Sequence, residues 1–168
     1  MTVLTVLYYP DSRLHLKATP VREIDDKIKQ LVIDMAETMY ENRGIGLSAT
    51  QVNVQQRLFI MDLSGDDEPK NLLVFINPEI LSRSGEVSSE EGCLSVPGIY
   101  EKMLRSENIQ LKYQDLDSNT HIIDCDGLMS VCAQHEIDHL DGKVFVDYLS
   151  NLKQNFIKKK MKKIYKPV

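Results

Sequence analysis

Apolar positions along the chain follow two periods, and the switches between them mark its elements. Ile24, Ile28, Leu31, Val32, Met35, Met39 and Tyr40 recur at helical spacing. Asp25 is placed to cap that helix, and the region of Gly44 to end it. The segment from Arg57 to Leu63 and the run from Leu72 to Ile76 read as strands, the second closed by Asn77-Pro78. Strands are also expected over 108–115 and 121–125, joined by a hairpin turn at Asp117-Ser118-Asn119. From Asp126 to Asp141 the pattern is helical and apolar on most faces, so this helix should be buried, with Gly142 stopping it. A last helix, 149–165, is expected to carry Leu152, Phe156, Ile157, Met161 and Ile164 on one side and lysines on the other. The class implied is α+β: short antiparallel strands around a central buried helix, with a C-terminal amphipathic helix. The expected organisation is one domain, its body spanning 1–148 and the basic helix 149–168.

Composition narrows this picture. The chain has 168 residues, 42% of them hydrophobic, with no internal repeat and no apolar run of membrane-spanning length. No basic-then-apolar secretory pattern stands at its start. Three cysteines, Cys93, Cys125 and Cys132, argue against a disulfide framework and for a reducing, cytoplasmic setting in which a thiol can ligate metal. Charge is uneven: seven of the 20 basic residues are lysines after Ser150, where no acidic residue occurs. The other 13 face 25 acidic residues, so an acidic body of net charge -12 bears a basic appendage.

The segment His135-Glu136-Ile137-Asp138-His139 is an H-E-x-x-H on a helix. Residues four apart stack on one helix face, so both imidazoles can reach one ion, with Glu136 beside them to work on a water. The bland alternative is two histidines sharing a face without a ligand. A catalytic metal usually takes three protein donors and keeps one open position. One peptidase class would place its third histidine at position 145, which is Phe145, and another uses a downstream glutamate, of which there is none. Among downstream acids only Asp141 and Asp147 remain, so ordinary zinc-peptidase chemistry is disfavoured. Cys132 would put three ligands in line along one helix, a poor match to a pyramid. Cys93, in Glu91-Gly92-Cys93-Leu94-Ser95, comes from a separate segment and completes one, a buried core thiol being the alternative.

A third constellation, Gly44-Ile45-Gly46-Leu47-Ser48-Ala49-Thr50-Gln51, fits neither nucleotide-loop pattern. Its small residues could let backbone lie against a substrate, with Gln51 offering amide donors to an oxyanion, or simply end a helix.

Together and in this order, GIGLSATQ, EGCLS and QHEIDHLDG resemble the three motifs of the peptide deformylase family, G-φ-G-φ-A-A-x-Q (φ apolar), E-G-C-L-S and Q-H-E-x-D-H-L-x-G. Ser48 departs from the usual alanine, a change that bears on packing behind Gln51. The resemblance runs from VLYYPDSRL to about Tyr148. It implies a cytoplasmic, usually monomeric hydrolase that removes the formyl group from the starting methionine of new bacterial polypeptides. It implies one divalent ion on Cys93, His135 and His139, ferrous iron in the cell, replaceable by zinc, nickel or cobalt. Glu136 would move the proton, while Gln51 and the Leu94 backbone N–H would hold the oxyanion. Ile45, Leu128, Val131, Cys132 and His135 would line a methionine pocket. Gly44 and Gly46 would lie along the peptide, Gly46 pairing with it like an added strand. Glu91, counted among the substrate-binding residues, would also form a buried ion pair with Arg105 behind the cysteine segment. Tyr100 stands near the pocket mouth, where some relatives carry arginine.

The lysines Lys153, Lys158, Lys159, Lys160, Lys162, Lys163 and Lys166 read either as a solvated helix face or, by resemblance, as a dock for ribosomal RNA near the exit tunnel. Two rival classes remain at this level: a general metallopeptidase, and a non-catalytic metal-binding module in which Glu136 would be expendable.

Overall fold

Asp25 does cap the first helix: its carboxylate accepts the Ile28 N–H at 3.0 Å, and α1 runs Asp26–Glu41. The computed structural model describes residues 2–165; Lys166, expected in the basic tail, lies outside them. Gly44 N–H reaches back to the Met39 carbonyl, and Arg43 turns the chain out of the helix with φ 56°. The chain then enters β1 (Gly46–Ser48), β2 (Leu58–Met61), β3 (Leu73–Ser84), β4 (Val87–Cys93), β5 (Val96–Arg105), β6 (Asn108–Gln114) and β7 (Thr120–Cys125). Helix α2 (Gly127–Leu140) follows, and α3 (Asn151–Ile164) closes the fold. All strand pairs are antiparallel, in a five-stranded sheet ordered β1-β2-β3-β6-β7 and a separate β4–β5 hairpin.

The α+β class holds, with three corrections of detail. Asn77-Pro78 does not end its strand. β3 spans 12 residues in all, running on to Ser84, and its register against β6 steps from Ile76↔Gln114 to Glu79↔Lys112. The prolyl nitrogen has no proton to offer, so a bulge is where a strand tolerates it. Asn77, at φ 51°, uses its side chain to clamp both backbone groups of Val21. Second, β1, β4 and β5 are strands that the sequence pattern does not predict. In β4 the inward position Glu91 is charged and ion-paired rather than apolar, so no alternating hydrophobic pattern announces it. Third, α3 buries only Ile157 and Met161, while Leu152, Phe156 and Ile164 are 82%, 65% and 55% exposed. At 3.6 residues per turn, Leu152 and Phe156 lie about 140° around the helix from Ile157 and Met161.

Helix α2 is the keel of the site. One side packs Cys132, Ala133, Ile137 and Leu140 against Phe59, Met61 and Phe75 of the sheet. Helix α1 covers another part of the same sheet through Val32, Met35 and Met39. Helix α3 seats Ile157 and Met161 in a cluster with Leu7, Tyr9, Val96 and Phe145.

Asp62, just beyond β2, ties the glycine segment down: its backbone N–H donates to the Ile45 carbonyl at 2.9 Å. Burial alone would raise its carboxyl pKa, but donors from the Ser64 hydroxyl, Tyr40 phenol and the N–H groups of Ser64 and Asn71 bring it down to about 2. A carboxyl depressed on folding stabilises fully above its unfolded value of about 4 and loses that contribution as pH falls toward about 2. Urea midpoints should therefore drop across that acid window, and less steeply in Asp62→Asn.

Candidate active site

His135 and His139 project from α2 one turn apart, and both are buried. Their Nε2 atoms stand 3.2 Å apart, and the Cys93 Sγ, at the end of β4, lies 3.3 Å from His139 Nε2. The three ligand atoms all fall within 4.8 Å of one another. The 3.2 and 3.3 Å separations are close to the edges of a coordination tetrahedron with bonds of about 2.0–2.3 Å.

Protonation agrees with cation binding. The ionised Glu91 Oε1 can only accept, so the contact at 2.8 Å places a proton on His135 Nδ1 and aims Nε2 at the other two donors. Burial lowers the His135 pKa, but the hydrogen bonds with Cys93 and Glu91 and the charge of Glu136 overcome it and raise the value well above normal, so an ion bound there takes the place of a proton on Nε2. The donor set thus sits where the local field favours positive charge. Burial and the neighbouring His135 hold His139 well below its ordinary value, hence neutral, as a ligand must be. His139 Nδ1 is buried with no hydrogen-bond partner among the described residues. A thiolate with two imidazoles is a donor set that borderline divalent metals accept. The residues fit such an ion.

Behind His135 lies an ion-pair chain. Arg105 donates through Nε and Nη2 to both oxygens of Glu91, at 2.7 and 2.8 Å, and through Nη1 to Asp138 at 2.6 Å. Tyr148 adds its hydroxyl to the same Asp138 oxygen at 3.0 Å. Burial would raise the Glu91 carboxyl, but Arg105 and His135 hold it down at about 2. Glu91, expected to touch substrate, therefore has both oxygens engaged with Arg105 and His135. The expected Glu91–Arg105 pair is present; Asp138 and Tyr148 were missed, although Asp138 stands inside the H-E-x-x-H itself.

In front of the histidines a cavity of about 500 Å³ opens, and every site residue named from sequence except His139 and Arg105 lines it. Gly44, Ile45, Gly46, Gln51, Leu94 and Tyr100 bound one part, with Leu128, Val131, Cys132, His135 and Glu136 along α2. Ile99 and Pro97 join that wall without having been expected. Gln51 is buried, and its Nε2 donates to Ser95 Oγ at 3.0 Å and contacts Cys93 Sγ at 3.4 Å. Its amide oxygen accepts the Ser48 N–H at 3.0 Å, so the donor end is turned toward Cys93 Sγ. Burial raises the Glu136 carboxyl pKa against the opposing pull of His135 and Ser48.

The glycines leave room for these groups. A Cβ on Gly44 would come within 2.7 Å of the Leu94 side chain. One on Gly46 would lie 2.6 Å from Glu136 Oε2 and 2.9 Å from Cys132 Sγ. The carboxylate is the movable partner, so Gly46→Ala should leave the fold intact and displace Glu136. A displacement near 1 Å is expected to lower turnover by about 10², read at matched metal content.

The polypeptide deformylase model matches residues 3–155. The chain belongs to this family. It is 52% identical to a peptide deformylase of Chromobacterium violaceum over 97% of this chain and 96% of that one. It is 53% identical to peptide deformylase 1 of Burkholderia multivorans, over 98% and 90%. Among solved structures, the Legionella pneumophila peptide deformylase superposes with a TM-score of 0.91 at 44% identity, covering 97% of this chain and 95% of that one. The Ehrlichia chaffeensis deformylase in complex with actinonin gives 0.94 at 41%, covering 99% and 100%. For a deformylase, Cys93 is the telling ligand: it stands where Phe145 rules out a third histidine.

Proposed function

We propose that the chain releases formate from N-formylmethionyl peptides, with Glu136 as proton carrier and Gln51 and the Leu94 backbone N–H as oxyanion donors. The observation that supports this most is the convergence of Cys93, His135 and His139 beside Glu136 at the wall of one cavity. A divalent ion held there supplies Lewis acidity, which acidifies water and polarises a carbonyl. As water adds to the formyl carbon, Glu136 takes its proton and later returns it to the leaving amine. Gln51 Nε2, now donating to Ser95 Oγ, turns to the developing oxyanion; one such donor is typically worth about 3 kcal/mol. The methionine side chain enters the apolar wall of Ile45, Leu128, Val131 and Cys132, beside His135. Tyr100, 65% exposed at the rim, meets the residues that follow.

Ferrous iron is the cellular metal in this reading, with zinc, nickel or cobalt able to replace it. The setting is cytoplasmic and the protein a monomer. Among the described residues no helix is long and apolar enough to cross a membrane. Anaerobically prepared protein should release formate from a formyl-Met peptide while leaving acetyl-Met and casein untouched. Cleavage of casein, or equal turnover of the acetyl substrate, overturns the reading.

The same proposal gives α3 a ribosomal partner. Lys159, Lys160, Lys162 and Lys163 are exposed, and so are Leu152 and Phe156. Binding to ribosomal RNA should be lost steeply as salt rises. Deleting everything after Leu149 would also strip Ile157 and Met161 from the core, so replacing those four lysines by glutamate is the cleaner test. Co-sedimentation with ribosomes should vanish in that variant while formate release persists. Binding that ignores both salt and the substitutions ends the idea.

A further inference from the structure

We infer that Ser48 is a positioning residue whose hydroxyl fixes the orientation of the Glu136 carboxylate, and so which of its oxygens faces the cavity. The inference rests on the reading of Glu136 as proton carrier. Ser48 is fully buried at the end of β1. Its Oγ lies 3.0 Å from Glu136 Oε1 and 2.9 Å from the Glu136 backbone carbonyl, so one hydroxyl proton serves that pair of acceptors. Among the described residues no other group donates to the Glu136 carboxylate. The second oxygen, Oε2, lies against Gly46, at the wall of the cavity. The two oxygens are therefore unequal: Oε1 is tethered, and Oε2 is left to meet water and the leaving amine.

The tether matters because the terminal torsion of a glutamate is broad and nearly two-fold. Without a donor, a carboxylate can turn in place and spend time with neither oxygen aimed. A hydrogen bond to a charged acceptor is among the stronger constraints available. The backbone N–H of Ser48 also orients the second reacting side chain, donating to Gln51 Oε1 at 3.0 Å. That second bond needs only the backbone and survives in alanine. Ser48→Ala therefore removes the hydroxyl contacts to the Glu136 carboxylate and backbone carbonyl and leaves the backbone bond to Gln51 in place.

The test uses metal-loaded protein with a formyl-Met peptide, comparing Ser48→Ala, Ser48→Cys, Glu136→Gln and the double variant Ser48→Ala/Glu136→Gln. In Ser48→Ala, kcat should fall about 3- to 10-fold while KM stays within about twofold, because alignment is lost and binding is not. Ser48→Cys, a similar size with a weaker donor, should fall between. In the Glu136→Gln background, Ser48→Ala should produce no further loss. A role in packing alone would lower the melting temperature and leave kcat of the loaded enzyme unchanged. The inference is overturned if Ser48→Ala keeps kcat within about twofold of the parent, or if the loss recurs undiminished in the Glu136→Gln background. If Glu136→Gln itself turns over like the parent, it is the reading of Glu136 that fails, and that of Ser48 with it.

Discussion

Glu136→Gln should lower formate release by about 10²- to 10⁴-fold, the range that a positioned proton carrier supplies. Glutamine keeps the shape and can still accept the Ser48 hydroxyl through its amide oxygen, but it cannot take up a proton at neutral pH. Fold and metal content should therefore stay close to the parent, and the loss should appear in kcat with little change in KM. The side chain is buried and makes no ion pair among the described residues, which leaves its carboxylate free for the reaction. Turnover within about tenfold of the parent would move the proton to another group.

The second large effect belongs behind the histidines. Glu91→Ala should destabilise the metal-free protein by about 3–5 kcal/mol, the cost of leaving a buried charge short of its partner. Both Glu91 and Arg105 are less than a tenth exposed, and the alanine would leave Arg105 with Asp138 alone. For a chain of this length that is a drop of roughly 10 °C in melting temperature, to be measured with chelator present so that metal binding does not enter. His135 would also lose the acceptor that fixes its tautomer, and metal affinity should weaken by about 10- to 100-fold. The pH dependence has a definite sign. Glu91 titrates near 2 when folded, so its contribution is complete above an unfolded value of about 4 and is lost as acid brings the pH toward about 2. An unchanged melting temperature at neutral pH would show that the buried pair is energetically idle.

What could be read from the sequence was whatever depends on spacing within one element. Two histidines four apart on a helix share a face whatever surrounds them, and α2 confirms the consequence at 3.2 Å. Gly142, Asp25 and the hairpin at Asp117 to Asn119 act through local backbone chemistry and fall where expected. What escaped depends on partners distant in the chain. β4 buries a charge whose partner is 14 residues away, so its sequence carries no apolar alternation. Ser48 meets Glu136 across 88 positions, and nothing nearby in the chain announces it. In α3 the error was one of angle: Leu152 and Phe156 were grouped with a stripe that faces elsewhere, and that exposed pair is what the fold leaves open.

One strand edge sets the breadth of what this protein can accept. β1 has a neighbour on one side only, and the residues leading into it border the cavity. Exposed edges usually invite unwanted pairing between molecules, but this one is three residues long and enclosed, so a thin extended segment fits where a whole sheet does not. Main-chain hydrogen bonds do not distinguish one side chain from another. On the proposed function, such an edge grips the second and third residues of an incoming chain whatever they are, while the apolar wall checks only the first. On that reading selectivity is confined to the one position that all such clients share, and a single enzyme of this kind serves many different chains.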